Sequence, residues 1–284
     1  VQVAIIGPGG IGSTFAFQLS RAGHDVTVVA RGRRLEQLRR DHAIVTTAGE
    51  RAAVTVTHEL DPATPWDLVL VTVLVSQVDA VLPALGGSTA KTVMFMFNTF
   101  QPLDRLRNAV GADRFAFGFP SVLARLEDGK LSATIPPRAM SNTATDPLWA
   151  KVFTEAGLPT TVQPDMQSWL RTHAALIVPL AIAGATANRR GRGLSRAEAR
   201  IYARAMAEAF HLVRRLENTI TPAPIAMVSR LPVLILAPLL WCLSRLKVLV
   251  RTIAVVPTGE PRMLIDEMSA IAPEPIPALL AIRP

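Results

Sequence analysis

The stretch Val3-Ala4-Ile5-Ile6-Gly7-Pro8-Gly9-Gly10-Ile11-Gly12 decides how this chain is read. An apolar run of β type meets Gly-x-Gly-x-x-Gly, and Phe15, Leu19 and Ala22 follow at helical spacing. Strand, glycine turn and helix in that order make a cradle for an anion. Gly7 permits a tight turn out of the strand, Gly9 leaves the backbone bare for a pyrophosphate, and Gly12 lets the helix lie close on the sheet. Pro8, Gly10 and Ile11 complete the loop. The helix start adds N–H groups without partners and the positive end of the helix dipole. Gly-x-Gly-x-x-Gly alone is a weak signal. Between a strand and a helix it is a strong one.

Working outward, residues 26–30 (VTVVA) read as the second strand, after the Gly23-His24-Asp25 turn. In dinucleotide-binding sheets this strand ends near an acid that bonds the ribose 2′-OH. Here it ends in Ala30-Arg31-Gly32-Arg33-Arg34, with three arginines and no acid. A guanidinium fork fits a 2′-phosphate. The pattern therefore predicts NADP(H) as cofactor, with Arg31 as the main contact. Arg34 reads equally well as the basic start of the next helix, which continues through Leu35 and Leu38.

Residues 43–47 and 52–57 flank a Gly49-Glu50 turn and predict a hairpin or short paired strands. Residues 66–73 hold a continuous apolar run, as in a strand buried on both faces. Residues 77–85 predict a helix, 92–97 another buried strand ending at Asn98-Thr99-Phe100-Gln101, and 104–110 a short helix. Residues 115–119 and 131–135 predict further strands, joined across an Asp128-Gly129 turn. Strands alternating with helices predict an α/β fold, a Rossmann-type doubly wound parallel sheet. Ligands bind such sheets at the carboxyl ends of the strands. That rule singles out Thr72 to Ser76, Leu74 among them, and Asn98 as cofactor-binding positions. The Asn98 amide can donate to and accept from a nicotinamide, a ribose or a substrate. The same residue also suits a turn bonded to local backbone.

Residues 149–156 predict a helix and 159–162 an extended segment; from Asp165 onward the pattern is helical. Asp165 suits the cap of a helix running through Trp169, His173 and Leu176 to about Asn188, kinked at Pro179. Ser195-Arg196-Ala197-Glu198 is a capping box, and its helix carries Ile201, Ala205, Ala209, Leu212 and Leu216. The alanines allow close packing on another helix or on a second copy in a homodimer. Residues 231–243 (LPVLILAPLLWCL) are too short to span a bilayer, contain Pro232 and Pro238, and precede Arg245, Lys247 and Arg251. They predict a buried core helix, with a dimer face or a peripheral membrane contact as alternatives. Residues 262–271 predict a last short helix. The expected division is a nucleotide-binding domain over 1–164 and an all-helical substrate and dimerisation domain over 165–284.

Composition sets the outer bounds. The chain has 284 residues, half of them apolar, which allows two cores and excludes a disordered protein. The net charge of +8 suits an anionic small-molecule substrate or a dinucleotide. Nucleic acid is disfavoured, because aromatics are 5% of the chain and no basic stretch is interleaved with them. The run Arg189-Arg190-Gly191-Arg192 reads as a solvated loop. Cys242 stands alone, so no intramolecular disulfide forms, which fits a reducing cytoplasm. No basic segment precedes the first strand, so no signal peptide is expected. The five histidines and single cysteine lack ligand spacing, so no metal site is expected.

These residues together resemble the ketopantoate reductase (2-dehydropantoate 2-reductase) family. The resemblance lies in Gly7-Pro8-Gly9-Gly10-Ile11-Gly12, Arg31 after the second strand, Asp67 to Thr72 leading into Gln77, and Asn98 at a strand end. The helical second half beginning at Trp169 adds to it. It covers nearly the whole chain and is specific in the first half. It implies hydride transfer from NADPH to 2-dehydropantoate, giving pantoate on the way to coenzyme A. The family's nucleotide-domain lysine falls at Leu74, and its Asn-Gly pair becomes Asn98-Thr99. Its essential lysine, two residues after a Trp, falls at Arg171, and the Asn one turn on falls at Ala175. For its late glutamate, Glu260 and Glu267 are the candidates. Reducing a ketone requires a group that stabilises or protonates the forming alkoxide. Arginine stabilises an oxyanion but holds its proton; His173 titrates in a suitable range. Positions 171 and 173 do not share a helix face, so the choice stays open. The expectation is an NADPH-dependent oxidoreductase acting on a 2-keto acid or related carbonyl, with Arg171, His173 and Asn98 as catalytic candidates. The alternative is a redox-silent NADP(H)-binding sensor or partner protein of the same fold.

Overall fold

Strand β1 (Gln2–Ile6) has no polar face: Val3, Ala4 and Ile5 are wholly buried. A strand apolar on both sides belongs inside a parallel sheet. In the computed structural model, which describes residues 1–246 and 259–284, β1 pairs in parallel with β2 (Asp25–Val29) and with β6 (Leu68–Val71). The chain divides into two units, Val1–Asn98 with Leu103–Met166, and Thr99–Pro102 with Gln167–Pro284.

The first unit is built on an eight-stranded sheet in the order β12-β11-β8-β7-β6-β1-β2-β5. Its remaining strands are β5 (Thr55–Thr57), β7 (Val93–Met96), β8 (Phe115–Phe119), β11 (Asn142–Ala144) and β12 (Thr160–Val162). Pairing from β5 through to β8 is parallel, and β11 runs antiparallel to β8. Register aligns the strand ends, with Ile6 beside both Val29 and Val71, and Val71 beside Phe95. The helices are α1 (Gly10–Arg21), α2 (Gly32–Asp41), α3 (Leu82–Gly86), α4 (Asp104–Val110) and α5 (Pro147–Glu155). Asp146 caps α5 by accepting from the backbone N–H groups of Leu148 and Trp149.

Three expectations need correction. Residues 52–57 do not form one strand. β4 (Arg51–Ala53) pairs with β3 (Ala43–Val45) as a hairpin, while β5 joins the main sheet beside β2. The Asp128-Gly129 turn joins β9 (Leu123–Glu127) to β10 (Lys130–Thr134), not β8 to residues 131–135. Asp128 (φ +47°) and Gly129 (φ +78°) both take positive φ, as a two-residue hairpin loop requires. The charged Arg125 and Glu127 on exposed positions hid β9 from the apolar pattern. Residues 77–85 break into a 3-10 turn, Val75–Ala80, and α3, with Pro83 in the first turn of α3.

The second unit is helical. It contains α6 (Met166–Arg190), α7 (Arg196–Arg215), α8 (Ala223–Val228), α9 (Val233–Leu243) and the helices Gly259–Ile271 and Pro277–Leu280. α6 continues through Pro179 and takes in Arg189 and Arg190, which the sequence reading placed in a loop. By length and composition α6 is apolar enough to cross a bilayer, and 61% of its most apolar window is buried in the structure. At the start of α7, Ser195 Oγ accepts from Glu198 N and Glu198 Oε2 accepts from Ser195 N, closing the capping box. The α7 alanines are used within the chain: Ala199, Ala203, Ala205 and Ala209 are buried, and α7 packs on α9 and on Pro277–Leu280. α9 is a core helix on one side only. Leu236, Ala237 and Leu240 are buried, while Leu234, Ile235 and Leu239 are exposed. Lys247 and Arg251, which the sequence reading set after this helix, lie outside the described residues.

Candidate dinucleotide site

From β1 the chain proceeds one way to β2 and β5, then returns past β1 to β6, β7 and β8. Such a reversal leaves a crevice at the carboxyl ends of the two strands beside it, here β1 and β6. The carboxyl ends of four adjacent strands carry Asn98 after β7, Thr72 after β6, Gly7 after β1 and Arg31 after β2.

The glycine loop is shaped by close approach. Gly7 has φ +87°, and a Cβ there would lie 2.7 Å from Val73 Cγ1. A Cβ at Gly12 would lie 2.4 Å from Thr72 Oγ1 and 2.6 Å from Gly7 O, so the start of α1 rests directly on the strand ends. Gly9 differs: a Cβ there meets nothing within 4 Å. The loop is therefore filled by protein below and open at Gly9. An α-helix leaves its first N–H groups without intrahelical acceptors, here those of Gly10, Ile11 and Gly12. The N-cap residue is Gly9, which has no side chain to cap them. An open backbone facing uncapped N–H groups is what a pyrophosphate needs.

Thr72 braces this loop. Its hydroxyl donates to Gly7 O at 2.8 Å, so it shapes the cradle from beneath. Leu74, where the family resemblance places a lysine, is exposed and carries no charge to the strand end. Arg31 is the N-cap residue of α2, exposed, and the first turn of α2 contains no acid. Arg33 is exposed beside it. Asn98 is partly buried, two residues beyond the end of β7.

Arg171 and His173 both lie on α6 of the second unit. Arg171 is 6% exposed. Its Nε donates to Phe100 O at 3.1 Å, its Nη1 donates to Asn218 Oδ1, and its guanidinium lies over the Phe100 ring. These contacts anchor the Thr99–Pro102 segment. His173 stacks on Trp169 with ring centroids 5.1 Å apart. Burial pushes its pKa down to about 4, so at neutral pH it is an uncharged imidazole and a poor proton donor. Of the two candidate glutamates, Glu267 reaches the same segment. Its Oε2 accepts from Phe100 N at 2.6 Å and from Thr99 Oγ1 at 3.0 Å. Burial raises its pKa, and those two hydrogen bonds oppose the rise. Glu260 sits in the first turn of the Gly259–Ile271 helix. Gln101, Arg262, Asp266 and Glu267 line a cavity within this unit. No local signal could have distinguished Glu267, because its partners lie 167 and 168 residues away in sequence. Among the described residues no group of acids, histidines and cysteine could hold a metal ion.

Residues 3–138 match the model of the family described as ketopantoate reductase PanE/ApbA. That match takes in just under half of the chain and, with the relatives that follow, supports a divergent member of that family. A 2-dehydropantoate 2-reductase of Vibrio cholerae is 27% identical over 185 residues, covering 60% of this chain. The match spans only 58% of that relative's own length. Among solved structures, a PanE/ApbA family ketopantoate reductase from Ralstonia eutropha superposes with a TM-score of 0.74 at 19% identity, covering 100% of this chain and 96% of its own. D-mandelate dehydrogenase, solved with NADH and anilino(oxo)acetate, gives 0.72 at 13% identity, covering 100% and 96%. At these identities the likeness establishes that the ketopantoate reductase fold extends over both units. The family match itself rests on the first.

Proposed function

We propose that this ketopantoate reductase-family chain is a cytoplasmic oxidoreductase that uses NADPH to reduce a 2-keto acid or a related carbonyl. The observation that carries the reading is the open backbone at Gly9 facing uncapped N–H groups, with Arg31 one strand away. When bound, the nicotinamide cofactor supplies the hydride. The Gly10, Ile11 and Gly12 N–H groups bind the pyrophosphate, Arg31 receives the 2′-phosphate, and the Asn98 amide orients cofactor or substrate. The net charge of +8 favours an anionic substrate. Neither Arg171, held by Phe100 and Asn218, nor neutral His173 is suited to deliver a proton to the forming alkoxide. That departure from the family's lysine favours a substrate other than 2-dehydropantoate.

The test has two stages. Calorimetry with NADPH and NADH comes first: the wild-type protein should bind NADPH more tightly. Arg31→Ala should weaken NADPH by about 10- to 100-fold, the loss of a charge-assisted contact, and leave NADH unchanged. Turnover follows, by loss of NADPH absorbance with 2-dehydropantoate, phenylglyoxylate and simple aliphatic 2-keto acids. Turnover with one of these supports the proposal. Binding without turnover across the panel would favour the redox-silent sensor. Failure to bind either nucleotide would remove the reading altogether.

A further inference from the structure

Arg34 does not behave as the first turn of a surface helix. Its Nε donates to Pro8 O at 3.0 Å and its Nη2 to Ser13 Oγ at 2.8 Å. Its Nη1 donates to Gly129 O and to Gln37 Oε1, both at 2.8 Å. A guanidinium has five N–H donors, and four of them are thus engaged. Ser13, fully buried, passes its own hydroxyl proton to Pro8 O at 2.9 Å. Pro8 O therefore receives two hydrogen bonds. Pro8 and Ser13 bracket the anion loop, and Gly129 is the tip of the β9–β10 hairpin.

The hairpin meets the loop at a second point. A Cβ at Gly10 would lie 2.5 Å from Ala124 O of β9. A Cβ at Gly129 would fall within 2.2 Å of the Gln37 amide group. The hairpin thus meets the loop directly at Gly10 and, through Arg34 at its tip, at Pro8 and Ser13. Burial lowers the Arg34 pKa, but arginine remains charged at any physiological pH.

We infer that Arg34 is a positioning residue that fixes the anion loop for the dinucleotide, acting through Pro8 and Ser13. The inference rests on the dinucleotide reading of the site. A peptide unit is planar, so holding the Pro8 carbonyl fixes the direction in which the chain enters Gly9 and the first turn of α1. A loop ordered in advance does not lose that freedom on binding, and the difference appears as affinity. The pyrophosphate is common to NADPH and NADH, so Arg34 acts on both alike. Arg31 acts on the 2′-phosphate alone. Lysine cannot replace Arg34, because one ammonium cannot span four acceptors set by a planar fork.

Calorimetry on Arg34→Met and Arg34→Lys tests this. Both variants should lose affinity for NADPH and NADH by the same factor, about tenfold or more, with the ratio between the nucleotides kept. Guanidinium ion at millimolar concentration should restore affinity to Arg34→Ala. A merely structural role would lower the melting temperature and leave affinity and rescue unchanged, which would overturn the inference. So would a loss confined to NADPH, or full recovery by lysine. Amide exchange without nucleotide gives an independent reading: Gly9 to Ser13 should exchange faster in Arg34→Lys while Val3 to Ile5 stay protected. If wild type binds no nucleotide but this exchange changes as stated, the dinucleotide reading falls and the positioning by Arg34 stands. If the exchange is unchanged, that positioning falls.

Discussion

His173 shows how environment decides what a residue can do. Its folded pKa of about 4 lies below the ordinary value of 6.5. The unfolded chain therefore takes up a proton first as pH falls. Stability from this residue is complete above pH 6.5 and is lost as pH falls through 6.5 toward 4, by up to about 3 kcal/mol. His173→Gln should flatten that part of the stability-against-pH curve, measured by denaturant unfolding at a series of pH values. An unchanged slope would mean that His173 is not held neutral. Glu267 carries the opposite sign: its raised pKa gives stability present below pH 4.5 and lost above it. Arg31 stands just past β2, where its place depends only on the strand before it. Arg34, Arg171 and Glu267 were opaque because each has a partner far off in sequence, 95, 71 and 168 residues away in turn. A buried charge is explained by what satisfies it, and spacing within one helix carries no record of that.

Elements were read well where their signals were local. The α1 glycines, the α7 capping box and the apolar strands β1, β6 and β7 stand where periodicity and turn chemistry put them. β9 and the split of residues 52–57 were missed because strand pairing is a tertiary choice that local pattern leaves undecided. Within the cradle Gly12 and Gly9 separate by what a methyl group would meet. Gly12→Ala forces a Cβ against the Gly7 carbonyl, backbone that cannot swing away, and should destabilise the protein by about 1–3 kcal/mol. Gly9→Ala places its Cβ in open space. It should leave the denaturation midpoint nearly unchanged while weakening NADPH binding, because the methyl stands where the pyrophosphate approaches. Equal effects of the two substitutions on stability would contradict this division of roles. At the α7 terminus, Ser195→Ala removes one half of the capping box and should cost about 1 kcal/mol.

At the scale of the whole chain, the second unit is discontinuous, a division that no local pattern signals. Thr99–Pro102 lies between two stretches of the first unit yet belongs with residues 167–284. The reason is Phe100. Its side chain is wholly buried in the core with Val178, Met206, Phe210 and Ile265. Its carbonyl accepts from Arg171 and its N–H donates to Glu267, so backbone and ring are both satisfied inside that unit. Nothing in Asn98-Thr99-Phe100-Gln101 marks the change, because a strand end followed by an aromatic residue is ordinary in either unit. Phe100→Ala leaves a cavity among large apolar side chains and should cost about 3–5 kcal/mol. The loss should appear in amide exchange of α7, whose Ala203, Met206 and Phe210 line that core, while β1 and β6 keep their protection. If instead β1 and β6 lost protection and α7 did not, Phe100 would belong energetically to the sheet, and the division of the chain at Asn98 would be wrong.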